Sequence, residues 1–516
     1  MKSLLENTKI LAVVTALFGV CMIMIGRADF FASMPLFVVG GVFCVAVGIA
    51  IFRPAFGFAL FISALPFEII SVLPENVGLS VRPYQLLGVA LCCAILWIYV
   101  RRDVTITDVR ASIMDFLVGI FLLVSFMTVR WAVDPSLALQ QTIILASFVV
   151  LYFVSRFFVT DVHRVIAVLP IIVVSGGVMS VYAIVQNILF LQGGDHQEFM
   201  PGRPNAFFAE PDWLGVYFVF VFAACIAYLY YNAHHKHVWR FFDVSLWSVT
   251  TTVAVAMILT VARSAWVGVA SVSAVYLLVV FLSRKYKMFA RHALWLGSVA
   301  VVSMGVVLYA PVTNFELDNR IQSTTTGLQE ITVSCTQESA GAQLSAQKEI
   351  DDVAELSAYG CRHIDLEEIE KEKMTGHTVV KVLRNDPNVA VRAKTYDHVI
   401  QLVRARPFTG YGWGSSGDLL GNDEQGTPLN ASNIFLETAL SIGVIGLGVL
   451  VLFFGAIGVR ALHVMYCAHD EVTRSVAVFS VIGLVAIIVP NLFNAGLFLG
   501  FVWVYFALVA PLFKKI

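Results

Sequence analysis

Uninterrupted apolar runs of about 20 residues recur along nearly the whole chain, and no other feature restricts its fold so tightly. A run of that length crosses hydrocarbon as an α-helix, because lipid offers no partner to a backbone N–H or C=O left outside a helix or a closed barrel. Of 516 residues, 59% are hydrophobic and only 13% charged, so lipid is the solvent for most of the chain. An ordinary cytosolic enzyme is excluded. A net charge of -1 supplies no global basic field and argues against nucleic acid as a partner.

The pattern predicts an all-α polytopic membrane protein with about 14 spans, 12 to 14 by the strictness of the count. They fall near 9–26, 36–52, 54–73, 84–100, 113–133, 138–158, 165–190, 213–231, 243–260, 262–282, 293–312, 432–459, 475–490 and 493–512. The third contains Pro66 and Glu68 and reads equally as a kinked or re-entrant segment. The first run is long enough to span and lacks a small-residue cleavage site, so no cleavable signal peptide is expected. Lys and Arg collect in alternate loops, among them Arg101, Arg102, Arg156, Arg164, Lys236, Arg284, Lys285, Arg460 and Arg474. By the positive-inside rule those loops and both termini are cytoplasmic. The chain then divides into a transmembrane bundle over 1–312, a large extracytoplasmic loop domain over 313–431 and C-terminal transmembrane helices over 432–516.

Residues 313–431 hold eighteen Asp/Glu against eleven Lys/Arg, the composition of a solvated domain. Its middle reads as two polar helices, Gln347 to Ala358 and Asp365 to Met374, and Tyr396, Val399, Ile400 and Val403 recur at helical spacing over 392–405. Cys335 and Cys361 both lie there, where an oxidising compartment permits a disulfide. The other six cysteines read as small apolar residues, and no cysteine pair has zinc-ligand spacing, so no metal site and no cofactor are expected.

A site on the outer face follows from charge placement. Arg82, Arg203 and Arg263 each interrupt or flank apolar sequence on that face, where an unpaired guanidinium costs about 2.5 kcal/mol or more. Singly, each could snorkel to headgroups or pair with an acid. Together with Arg392, Arg404 and Arg406 they make a convergent basic patch, whose guanidinium forks suit phosphate oxygens. The loop Gly202 to Asp212 carries Glu210, which can neutralise an arginine or accept a proton, and Asp212, which can cap the next helix. The turn Thr260 to Ser264 leaves almost no loop and fixes the depth of Arg263. Gly410 and Gly412, after Arg406 and Pro407, permit close approach of a ligand. The segment Leu429 to Glu437 opens a span with Ser432, Asn433 and Glu437. His398, on the amphipathic helix, and His196, before Arg203, are the outer histidines able to reach a surface site.

These elements, in this order, resemble the O-antigen polymerase and O-antigen ligase superfamily of bacterial envelope glycosyltransferases. The likeness runs from the arginine-led loop before a span, through the turn Leu259, Thr260, Arg263, to Arg392 with Tyr396, Pro407 to Gly412 and Asn433 to Gly446. It implies a metal-independent enzyme that takes glycan from an undecaprenyl diphosphate carrier on the outer side of the membrane. Arginines would hold the leaving diphosphate, with Arg82, Arg203, Arg263, Arg392, Tyr396, Arg406, Gly410 and Gly412 as binding candidates. The acceptor would be another repeat unit, a lipid or a protein. Ligases of the family carry His immediately before the last Asn; here that residue is Ser432, which cannot serve as a base near neutral pH without help. This favours polymerase over ligase and leaves the base open among Glu210, Glu437 and His398, beside Asn433 and Ser432. A non-enzymatic transporter of lipid-linked glycan is the alternative from another class, but the chain shows no evident duplication and few mid-span charges.

Overall fold

A computed structural model describes residues 8–28, 35–73, 80–101, 111–234 except 196, 199 and 201, 240–310, 328–336, 341, 349–350, 353–364, 372–385, 387–422 and 429–513. His196 lies outside the described residues. Eleven apolar helices come first: α1 Thr8–Arg27, α2 Leu36–Phe52, α3 Pro54–Ala64, α4 Pro83–Val100, α5 Ile113–Thr128, α6 Pro135–Phe158, α7 Val162–Leu191, α8 Pro211–His234, α9 Arg240–Leu259, α10 Arg263–Leu282 and α11 Tyr286–Tyr309. After the loop domain come α14 Ile434–Cys467, α15 Glu471–Asn491 and α16 Gly500–Val509. Ten of the described helices are long and apolar enough to cross a membrane, and four shorter apolar ones accompany them.

Polar residues at the loops fix where the helices begin. Asp134 accepts from the Ser136 and Leu137 N–H groups, Asp161 from Arg164 N–H and Asp470 from Thr473 N–H, while Ser112 and Asp115 form a reciprocal cap. Among the ten long helices α8 is the most enclosed, buried against α7, α10 and α15, whereas the outer helices present Phe37, Leu294 and Val459 outward. In lipid such exposure carries no hydrophobic penalty.

The third apolar run departs from a simple helix. α3 stops at Ala64, and Leu65 to Leu73 continue without helical structure although Leu65, Phe67, Ile70 and Val72 are buried. The run is thus broken, as Pro66 and Glu68 suggested. The freed backbone is satisfied inside the protein: the Glu68 and Ile69 N–H groups both donate to the Phe207 carbonyl at 3.0 Å, and Val72 N–H to Val81 O at 2.8 Å. The last run is likewise broken, with Leu492 to Leu499 preceding α16.

The loop domain corrects the all-helical expectation. Residues 328–385 contain a four-stranded sheet, β1 Leu328–Cys335, β2 Glu349–Ile350, β3 Cys361–His363 and β4 Thr378–Asn385, in the order β2-β4-β1-β3. β1 runs antiparallel to β4 and β3, and β2 parallel to β4. The expected helix from Gln347 to Ala358 is instead β2 followed by a 3-10 helix, Val353–Tyr359. Of Asp365 to Met374, residues 365–371 lie outside the described residues and Glu372 to Met374 form a single helical turn. The reason is a period-two pattern: Ile331, Val333 and Cys335 alternate with polar residues along β1, and with Val382 and Ile350 they bury a small core. The Cys335–Cys361 disulfide ties β1 to β3. The amphipathic helix is present as α12, Pro387–Ala405, with Val399 fully buried against Tyr411, Ala431 and Leu440; α13 is the short helix Ser416–Leu420.

Candidate active site

Three tight turns meet at one end of the bundle, and all three hold non-glycine residues in the left-handed backbone region. Ala206 (φ 47°) follows Arg203, Val261 (φ 54°) precedes Arg263, and Ser432 (φ 44°) precedes Asn433. A β-branched residue at positive φ is a genuine outlier, and such strain costs about 1–3 kcal/mol wherever the surroundings enforce it. Among the described residues only Gln197 and Arg284 share this property, and Gln197 lies in the Arg203 loop.

The Arg203 loop is anchored on the Arg263 turn. Arg203, 8% exposed, donates from Nε to the Thr260 carbonyl at 3.0 Å and from Nη2 to Asp212 Oδ2 at 3.3 Å. Asp212, one residue into α8, thus serves as the counter-ion of this guanidinium. Thr260 is fully buried, and its hydroxyl accepts from Ala262 N–H, closing the turn that places Arg263 at the start of α10. Glu210 is half-buried at the entry to α8.

The Asn433 turn is built as a helix cap. Asn433 Oδ1 accepts from the Phe435 and Leu436 N–H groups at 2.9 and 3.2 Å, and its Nδ2 donates to the Leu492 carbonyl at 3.0 Å. Asn430 Oδ1 accepts from Ser432 N–H at 2.8 Å. Glu437, 9% exposed, accepts from Ala431 N–H at 2.9 Å, so its carboxylate clamps the turn. From α12, Tyr396 OH donates to the carbonyls of Ser432 and Leu492, each at 3.2 Å. Arg392, one helical turn earlier on the same face, stacks over Phe493 at 5.7 Å. His398 is two residues on from Tyr396, about 200° round the helix, and is exposed.

Two sequence candidates sit apart from this cluster. Arg82 stands at the N-cap position of α4 and pairs with the buried Glu68 at 2.8 Å, with Tyr84 OH donating to the same carboxylate at 2.8 Å and Gly500 N–H to its other oxygen at 3.2 Å. Arg406 donates to the Trp131 carbonyl at 3.3 Å and lies over the Tyr411 ring. Gly410 and Gly412 are at positive φ and dock their turn onto a break in α14 at Ile442 and Gly443: Tyr411 N–H donates to Leu440 O and Gly412 N–H to Ser441 O. A Cβ on Gly410 would lie 2.5 Å from the Ser441 oxygen, so this close backbone approach requires glycine.

The reading from sequence missed the segment joining these parts. Leu492 to Asn494, just past α15, receives Asn433 and Tyr396 on its carbonyl and Arg392 on its ring, and Asn494 reaches Ser264 beside Arg263. The available signal was two amides, Asn491 and Asn494, inside otherwise apolar sequence, where polar side chains are costly unless used. Among the described residues no group of three or more His, Cys, Asp or Glu could hold a metal ion.

Residues 248–451 match the family model described as O-antigen ligase. This match supports a place in the O-antigen ligase and polymerase superfamily. None of the curated proteins compared with the chain matches it. The matched region contains the Arg263 turn, Arg392, Tyr396, the Pro407 to Gly412 turn and Asn433, whereas Arg82, Arg203 and the Leu492 to Asn494 segment lie outside it. The family match suggests a glycan-transferring enzyme, and together with the many apolar helices it fits a multi-pass inner-membrane protein.

Proposed function

We propose that the protein polymerises oligosaccharide repeat units carried on undecaprenyl diphosphate, at the non-cytosolic face of the membrane and without a metal ion. The observation that carries this reading is the shared support of the Arg263 turn, Arg392 on α12 and the Asn433 turn on Leu492 to Asn494. The acceptor hydroxyl oxygen attacks the anomeric carbon of the donor, the bond from that carbon to the diphosphate breaks, and the hydroxyl proton passes to a base. Negative charge grows on the departing diphosphate and must meet fixed positive charge, the role we give to Arg263, Arg392 and Arg203. Arg82, already paired with Glu68, and Arg406, docked on Trp131, would border the site. Glu210 is the base this reading retains, since Glu437 is engaged with the Ala431 amide and His398 points away from Tyr396.

Purified protein in bilayers, given only lipid-linked repeat units and a chelator, is expected to produce longer glycans and free undecaprenyl diphosphate. Donor consumed only after lipid A core or a protein acceptor is added would replace polymerase by the ligase reading. Donor left intact under every condition would favour a transporter.

A further inference from the structure

The Arg263 turn and the Asn433 turn belong to helices far apart in sequence, and one short segment spans the distance between them. Asn494 Nδ2 donates to Ser264 Oγ at 3.1 Å and to the Pro490 carbonyl at 3.0 Å. Ser264 directly follows Arg263 and is 8% exposed, so the contact is sheltered. Two residues earlier, the Leu492 carbonyl holds Asn433 and Tyr396, and the Phe493 ring underlies Arg392. Asn491 stiffens the same segment from within, its Oδ1 accepting from Gly496 N–H at 2.8 Å and its Nδ2 donating to Ile487 O at 2.8 Å.

Neither the Asn494 amide nor the Ser264 hydroxyl carries charge or exchanges a proton near neutral pH. Their leverage is geometric. One interhelical hydrogen bond in a membrane bundle contributes little to folding. A displacement of about 1 Å in a group that must meet the reacting centre, by contrast, costs on the order of 10²-fold in rate.

We propose that Asn494 is a positioning residue for glycan transfer: its amide, held on Ser264, keeps the Arg263 turn in register with Arg392 and Asn433. The inference rests on the reading in which Arg263 faces the leaving diphosphate. It goes beyond that reading by assigning a role to a residue outside the matched region 248–451.

The test uses the full chain in bilayers and measures undecaprenyl diphosphate released against donor concentration, for Asn494→Ala, Ser264→Ala, the double variant and Ser264→Thr. Each alanine variant is expected to lower kcat about tenfold or more with KM for the donor nearly unchanged. The double variant should be no slower than the slower single one, because both remove one contact. Ser264→Thr keeps an acceptor oxygen and should recover most of the rate. Should Asn494→Ala fail to fold, the two Ser264 variants carry the test. Unchanged kcat, effects that multiply in the double variant, or a threonine variant as slow as the alanine one overturns the positioning role. A wild-type protein that releases no lipid diphosphate overturns the underlying functional reading, whereas an active wild type with unaffected variants overturns the positioning role alone.

Discussion

The two ends of the helical bundle handle cations differently. At the end away from the site several cations meet carboxylates: Arg156, 1% exposed, pairs with Asp115 at 3.2 Å, and Arg474 and Lys285 share Glu471 at 2.6 and 3.5 Å, although Arg101 stacks over Trp97, Lys285 also lies over Tyr230 and Arg460 donates to the Leu512 carbonyl. At the site end Arg392 rests on the Phe493 ring, and Arg406 on the Tyr411 ring and the Trp131 carbonyl. A ring or a carbonyl orients a guanidinium without cancelling its charge, whereas a carboxylate cancels it. Arg203 with Asp212 and Arg82 with Glu68 stand between these extremes, held by a carboxylate yet part of the site end. The contrast teaches that ion pairs do more to hold the far end together, while ring and carbonyl support at the site end is compatible with the anion-binding role proposed above.

Removing a cation from each end tests that contrast, and the site end should show the larger effect. Arg263→Ala is expected to lower kcat by about 10²-fold, the scale of one lost contact to developing charge, while membrane insertion and folding persist. Full turnover in that variant would erase the distinction. Arg156→Ala removes the cation from a half-buried carboxylate that keeps Tyr152 OH and Ser112 N–H, and should lower the fraction of folded protein surviving graded heating in detergent, with turnover of the survivors retained. Undiminished stability there would show that the far end does not depend on its ion pairs.

Acid should sharpen the comparison more gently in the loop domain. His377, Ser334 and Arg362 bond the Glu372 carboxylate at 2.6, 2.6 and 2.8 Å, and hold its pKa down to about 2 from an ordinary 4.5. A depressed folded pKa means stability fully present above 4.5 and lost as pH falls toward 2. Protease resistance of the sheet should therefore decline across that window, and decline less in Glu372→Gln. Equal decline in both would assign the acid sensitivity to other groups.

How much was readable in advance depended on the range of the interaction that decided each feature. Helix positions followed from local hydropathy, and the α12 face from the spacing of Tyr396, Val399 and Val403, although Ile400, read onto the same face, is exposed. The sheet was misread because Glu- and Lys-rich stretches between the strands looked helical, while the deciding alternation of Ile331, Val333 and Cys335 acts only once β4 pairs alongside. Arg82 looked like Arg263 in sequence, since nothing local shows that Glu68, sixteen residues from Tyr84, closes over it.

By itself the sequence determined that the chain lives in lipid, which segments are helical there, and that arginines stand at the helix ends, because hydrocarbon penalises every unpaired polar group within a few residues of where it occurs. Only the tertiary structure decided which arginines share a support, which are neutralised, and that Leu492 to Asn494 links them. Those outcomes depend on contacts between segments as distant as Ser264 and Asn494, whose meeting no local pattern encodes.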